Sequence, residues 1–359
     1  MSLAVRLASM PEDRDALMGV YQRNFADLGE YHEQRYDWHQ TLNPAGPGCT
    51  WLLYERSTND VVGATSMFPR RMYINGREQA VGQVLLFNVD SSHRSLGPAV
   101  MLQRATFDPV DRGDFVFCYD CPPHDHGMST FVRIGLPANC EMIRYTLPLR
   151  VNEYVEKKLG TGLWTKPLVS TANLLLRVRR VSRNLPGLEI SQHEGDFGEE
   201  FSYIDKVVSS SGVIRTCRSA EILNWLYRKF PFRSRRPHDG KLLKPEILVA
   251  RRKGELLGFV VFRPQTDNQI AILDLFGRNL PEVGCALLEA VAEIGVRDNI
   301  YGIYGNIAEG SDLSRLFRSA GFRPRERAAR VVSYEKTNGH AGILNAGLRW
   351  GFSQIELML

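Results

Sequence analysis

Apolar and polar positions along this chain of 359 residues switch between a strand-like period of two and a helix-like period near 3.6. A short strand over 4–7 leads into a helix whose first turn, Pro11-Glu12-Asp13, carries the acids that suit a helix N-terminus. Ala16, Val20 and Phe25 mark its expected buried side. Residues 51–54 read as a strand, Asn59-Asp60 as a turn and 61–67 as its hairpin partner. Asn75-Gly76 predicts a second hairpin turn. Residues 84–89, VLLFNV, form an apolar run of the kind found in central strands. A loop over 90–96, a helix over 97–107 and a strand over 115–119 follow. A helix over 129–134, ended by Gly135, precedes a strand over 140–147.

The pattern then runs again. A strand over 188–191 is followed by helices over 199–208 and 220–227. A hairpin over 247–262 turns at Lys253-Gly254-Glu255, and a central strand spans 270–276. A helix over 283–294, a strand over 300–305, a helix over 313–319 stopped by Gly321 and a strand over 331–335 complete the order. Antiparallel hairpins mixed with strand–helix–strand crossovers predict an α/β fold with a mixed sheet, of α+β character, made twice.

Two landmarks keep one offset, which suggests a tandem duplication. Trp38 and Pro44 in YDWHQTLNP and Trp225 and Pro231 in LNWLYRKFP share a spacing of six, and the tryptophans lie 187 residues apart. Phe131 in FVRIGL and Phe317 in FRSAGF lie 186 apart. A repeat this long is a domain, not a solenoid unit. The expected division is a first domain over 1–150, a basic connector over 151–186, a second domain over 187–336 and a tail over 337–359 that packs back on the body. Trp38 and Trp225 read as packing anchors rather than ligand stackers.

Hydrophobic content of 43% and charged content of 24% are ordinary for a globular protein. A net charge of +5 is compatible with anionic ligands but too small to point to DNA. No apolar run reaches the ~20 residues that cross a bilayer, and the N-terminus has no signal-peptide core, so a cytoplasmic protein is expected. The six cysteines are scattered and read as reduced. The connector, with Lys157, Lys158, Lys166, Arg177, Arg179, Arg180 and Arg183, reads as a solvated linker helix; its charge also suits a membrane surface, an acyl carrier protein or RNA.

The chemistry concentrates where the central strand runs into VDSSHRSLGPA. Arg94-x-x-Gly97-x-Ala99 lies between a buried strand and a helix, where backbone N–H groups and the positive helix end can face an anion. Gly97 permits close backbone approach and Arg94 adds a charge. A plain strand–helix turn is the alternative.

With these residues the sequence resembles the general-control N-acetyltransferase (GNAT) superfamily. That family's acyl-coenzyme A pyrophosphate loop reads [Arg/Gln]-x-x-Gly-x-[Gly/Ala] after its fourth strand, and Arg94, Gly97 and Ala99 match it. The segments 131–136 and 317–322 look like the family's late aromatic-to-glycine element, and the Trp…Pro segments resemble those of tandem GNAT-like proteins. The resemblance covers roughly 1–150 and 187–336. It implies that Val89, Arg94, Ser95, Leu96, Gly97 and Ala99 hold acetyl-CoA or a longer acyl-CoA as co-substrate. The implied activity is N-acyl transfer to a small amine.

The chain departs from the family in three ways. Pro98 removes an N–H from the loop. Phe131 and Phe317 stand where a tyrosine acid is frequent. In the second half, GRNLPEVGCALL does not keep the spacing between Arg278 and Gly284, so that copy is expected to have lost coenzyme binding. Asp90, Asp120 and His124 are the candidate bases for the amine. Cys118-x-x-Cys121-x-x-His124-x-His126 has the residue types of a zinc site, but Cys118 sits in a strand and Pro122-Pro123 stiffens the loop, so no metal is expected. A Fem-like transferase using aminoacyl-tRNA and a non-catalytic binding module are the competing functions.

Overall fold

A computed structural model describes residues 2–25, 29–122, 125–150, 185–208, 211–231, 244–336, 342–345 and 347–358. The connector over 151–184 and His124 therefore lie outside the described residues.

The first half opens with β1 (Leu3–Leu7), α1 (Arg14–Asn24) and α2 (Gly29–Thr41). Strands β2 (Cys49–Glu55), β3 (Val61–Ile74) and β4 (Arg77–Val89) form a meander. The turn from β3 to β4 uses Asn75 and Gly76, both at positive φ, as an Asn-Gly hairpin requires. Then come α3 (Leu96–Ala105), α4 (Asp108–Arg112), β5 (Cys118–Asp120), α5 (Asp125–Arg133) and β6 (Ala138–Pro148). The second half has β7 (Leu188–Gln192), α6 (Glu199–Val207), β8 (Val213–Thr216), α7 (Ala220–Tyr227), β9 (Glu246–Arg252), β10 (Glu255–Pro264), β11 (Gln269–Gly277), α8 (Leu280–Arg297), β12 (Gly302–Ala308), α9 (Asp312–Ser319) and β13 (Arg323–Tyr334). The tail adds β14 (Arg349–Trp350) and α10 (Gln354–Met358). No helix among the described residues is long and apolar enough to cross a membrane.

The fourteen strands among the described residues join one mixed sheet, and the main path runs β1-β2-β3-β4-β5-β13-β6-β12-β11-β10-β9-β7. The middle of that path exchanges strands. β13, the last strand of the second half, pairs with β5, and β6, the last strand of the first half, pairs with β12. β13 and β6 also pair with each other. Each half is thus completed by a strand from the other, and one continuous sheet results.

One sequence expectation is corrected and two elements are added. α1 buries Leu17, Met18, Val20 and Tyr21, whereas Ala16 is only half-buried, and Phe25, also half-buried, lies past the helix end as its C-cap. The helix α2 and the short strand β8 were not predicted. α2 is stabilised by tertiary packing of Tyr36, Trp38 and His39, which its polar sequence does not advertise.

Between the halves lies a shared core that includes Trp38, Phe197, Phe201, Trp225, Phe230 and Phe259. The indoles of Trp38 and Trp225 stack with centroids 4.0 Å apart and planes within 5°. The tail closes the second half. Ala308 N–H donates to Phe352 O at 3.1 Å, and Ser353 Oγ donates to Leu273 O at 3.2 Å, so residues 352–353 bridge β12 and β11.

Candidate functional site

β4 and β5 run parallel but pair only at Gly82↔Cys118 and Gln83↔Tyr119. β5 stops at Asp120, while β4 continues to Val89, paired with β3 alone. The parallel pair therefore opens into a fork, one arm of which is a strand with an unpaired edge among the described residues. A bulge deforms that arm: Ala64 pairs with Asn88 and Ser66 with Leu85, so two residues of β4 face one of β3. Leu86 within the bulge has φ +57, a conformation a γ-branched side chain rarely adopts. Bulges next to functional sites re-aim backbone groups, and strained residues persist where the surroundings over-determine them.

At the mouth of the fork the chain makes a short 3₁₀ turn, Ser91–His93, and then enters α3. Ser95 is extended and its side chain caps nothing. Among the described residues no protein group accepts from the backbone N–H of Leu96 or Gly97. A helix leaves its first N–H groups unpaired and carries partial positive charge there. A Cβ placed on Gly97 would meet nothing within 4 Å, so the space above this turn is open. Pro98, by contrast, is buried in the first turn, where its missing N–H costs little.

Arg94 plays a double part. Its Nε donates to Val89 O at 3.0 Å and a terminal nitrogen donates to Asn24 Oδ1 at 2.6 Å. These bonds fix the loop to the end of β4 and to α1. Arg94 is itself exposed, and its guanidinium has more donors than these two bonds use. Asp90 is a clamp of the same network: Arg23 Nε donates to it at 2.9 Å and Asn24 Nδ2 at 3.0 Å. Both carboxylate oxygens of Asp90, a candidate base from the sequence, thus accept hydrogen bonds from the end of α1. Arg23 and Asn24 were missed by sequence reading. Nothing local distinguishes them from any polar helix end.

Asp120 is differently placed. It ends β5 at the base of the fork, half-buried, with no cation in salt-bridge range among the described residues. Burial pushes its carboxyl up to about 7, although the Cys121 backbone N–H partly offsets this by favouring the anion. A carboxyl that titrates near neutrality can accept a proton. Burial also pushes the Cys118 and Cys121 thiols up, away from the thiolate form that binds metal. No group of three or more potential metal-binding side chains occurs among the described residues. Phe131 is buried against Met128 and Val332 and offers no proton.

On the other face of the fork's base lies a polar cluster that the sequence did not suggest. Arg70 Nε donates to Gln83 Oε1 at 2.6 Å, one terminal nitrogen lies 3.1 Å from His39 Nδ1, and the guanidinium sits 4.7 Å from the Trp225 ring centre. Burial, with Arg70 nearby, holds His39 well below its usual range, so it stays neutral. Gln83 Nε2 donates to Glu356 O at 3.2 Å, which ties the tail helix α10 to the first fork.

The second half has a matching fork in a different state. β11 and β12 pair in parallel only over Gln269↔Gly302 to Ala271↔Tyr304. Only Arg278 and Asn279 separate β11 from α8, and Arg278 is held by Glu255 at 2.6 Å. The inner part of this fork is bridged by tail residues 352–353.

No protein-family model matches the sequence, and no curated protein sequence matches it. Solved structures do. A conserved protein of Enterococcus faecalis described as a probable N-acyltransferase superposes with TM-score 0.60 at 10% identity, covering 93% of this chain and 72% of that one. A GCN5-related N-acetyltransferase of Anabaena variabilis gives 0.59 at 12% identity, covering 92% and 72%. Saccharomyces cerevisiae N-myristoyltransferase with bound myristoyl-CoA gives 0.53 at 12% identity, covering 92% and 82%. The chain therefore has the GNAT fold, in two GNAT-like halves.

Proposed function

We propose that the first half binds an acyl-CoA thioester in the β4/β5 fork and that the protein transfers the acyl group to an amine. The observation that supports this most directly is the join of an unpaired strand edge to an open helix N-terminus, with Arg94 beside it. A pyrophosphate fits the Leu96 and Gly97 N–H groups and the remaining donors of Arg94. The pantetheine amides fit the free edge of β4, as a peptide adds to a sheet. The bulge at Leu86 turns a backbone N–H toward the thioester carbonyl, where it stabilises the developing oxyanion.

The acceptor amine enters as an ammonium ion and must lose a proton to attack. Asp120, at the fork's base with a carboxyl near 7, is the proposed base, directly or through one water. The nitrogen bonds to the carbonyl carbon, the tetrahedral intermediate gives the second N–H proton to solvent and expels the thiolate, and the thiolate takes a proton from solvent because Phe131 cannot donate. His124 is carried as a second proposed base. The second half, its fork bridged by the tail, does not take the coenzyme.

The test is a thermal shift with coenzyme A, acetyl-CoA and a long-chain acyl-CoA, on the native chain and on Arg94→Glu. A ligand at ~100 times its Kd adds roughly 2.7 kcal/mol of stability. Stabilisation lost in Arg94→Glu supports the site, and the best chain length identifies the donor class. No shift with any thioester overturns the proposal.

A further inference from the structure

Arg35 on α2 is half-buried and has no carboxylate. Its Nε is shut off from solvent and meets no acceptor, and no carboxylate comes within salt-bridge range of it among the described residues. A guanidinium drawn into a fold ordinarily carries a partner, because unpaired charge is costly to bury. The acids of its own helix do not supply one. Glu33 and Asp37 both accept from Arg14 at 2.8 Å, and Glu30 accepts from Gln34 at 2.9 Å. On the same side of the helix as Arg35 stand His32 and His39, three residues before it and four after. Burial, with Arg35 nearby, lowers His32 to about 4. Burial, then Arg70 and Arg35, holds His39 well below its usual range. Both rings are therefore neutral at pH 7, and neither offsets the arginine.

The place matters as much as the charge. Tyr21, which lies within electrostatic range of Arg35, packs in one cluster with Tyr36 and with Leu86 of the β4 bulge. Arg35 thus borders the strand segment proposed to face the thioester carbonyl. Arg70 is also within electrostatic range, but it is engaged with Gln83, Pro69 O and His39. One free guanidinium matches one planar monoanion through paired hydrogen bonds, whereas a phosphate dianion would keep half its charge uncompensated.

We infer that Arg35 binds the carboxylate of an amino acid, and that this amino acid is the acceptor whose amine takes the acyl group. The carboxylate site stands on Arg35 and its surroundings; its assignment to the acceptor rests on the acyl-transfer reading. In the transfer the amine nitrogen bonds to the acyl carbon and the carbon–sulfur bond breaks, while the carboxylate stays on Arg35 and takes no part.

The experiment screens the common amino acids and their carboxamides singly by thermal shift on the full-length protein, with and without coenzyme A. At least one amino acid should stabilise the native chain while its carboxamide does not, and the shift should vanish in Arg35→Gln. Since Arg35 has no partner to lose, Arg35→Gln should melt no lower than the native chain without ligand; a marked loss of stability would make it a structural arginine and overturn the inference. In turnover with acetyl-CoA or a long-chain acyl-CoA, the same amino acid should be N-acylated. KM for it should rise at least about tenfold in Arg35→Gln and recover in part in Arg35→Lys, with kcat changing less. Stabilisation by an amino acid without turnover upholds the carboxylate site and counts against acyl transfer. Turnover of carboxamides as fast as of amino acids, unchanged in Arg35→Gln, overturns the inference and leaves acyl transfer standing. No effect of any amino acid in either assay also overturns it.

Discussion

Trp38 and Trp225 hold each other reciprocally: the indole N–H of Trp38 donates to Trp225 O at 3.1 Å, and that of Trp225 donates to Trp38 O at 3.4 Å. Two residues from matching segments of the two halves thus make the same bond in both directions. Such exchange is the signature of a two-fold relation, the intramolecular counterpart of an isologous interface. Stacking adds to it, both rings being almost fully buried.

Truncating either ring should therefore loosen the contact between the halves. Trp225→Ala is expected to cost about 3–5 kcal/mol in urea unfolding, the usual range for a buried aromatic cavity. Trp38→Ala should cost a similar amount. The double variant should cost less than the sum, because each single change already removes the stack. Strict additivity would show that the two rings act independently.

The matching Trp…Pro and Phe…Gly landmarks were legible because tryptophan and glycine are rare, constrained residues that stand out in a sequence. The strand order within each half was legible from period-two runs and from turn residues such as Asn75-Gly76. The exchange of β6 and β13 was not. Register and partner choice across the sheet centre depend on non-local pairing, and residues 323–330, with four arginines, look like a solvated stretch rather than half of a strand. The loop at Arg94 was visible in sequence; its anchoring by Arg23 and Asn24 was not, since those contacts close a gap of about 70 residues. The tail was foreseen as packing back, but not its passage between β11 and β12. His124 lies outside the described residues.

Gly97 offers a clean separation of binding from folding. Its φ is ordinary and an added side chain has room, so Gly97→Val should change stability by no more than ~0.5 kcal/mol. The same side chain would occupy the space proposed for the pyrophosphate. Coenzyme A affinity should fall at least about tenfold, or ~1.4 kcal/mol. Calorimetry and a urea melt on one preparation decide it; unchanged affinity would move the phosphates elsewhere.

The buried pair Arg218–Asp274 makes a different kind of prediction. Both side chains are nearly inaccessible, and Arg218 is held charged by its partner despite burial. Removing one member leaves an uncompensated charge. Arg218→Met should cost about 3–5 kcal/mol. Replacing both, as Arg218→Met with Asp274→Leu, should recover most of that loss. Denaturant midpoints of the native chain and the two variants provide the check, and a double variant as unstable as the single would assign the cost to packing.

Asp120 ties the proposed chemistry to pH in two measurable ways. Its carboxyl is raised to about 7 by burial, so the folded chain holds this proton more tightly than the unfolded chain, where the group titrates near 4. Stability from this group is therefore present at low pH. It is lost as pH rises from about 4 through about 7. Asp120→Asn cannot ionise and should melt a few degrees higher than the native chain at pH 8. Activity should run the opposite way. A base must be deprotonated, so kcat/KM should climb with pH to a plateau above about 7. Asp120→Asn should lower the plateau by about 10²–10⁴ and remove the inflection. A variant that gains stability at pH 8 yet keeps the native pH–rate profile would leave Asp120 a buried acid without a catalytic part. The base would then have to be sought at His124.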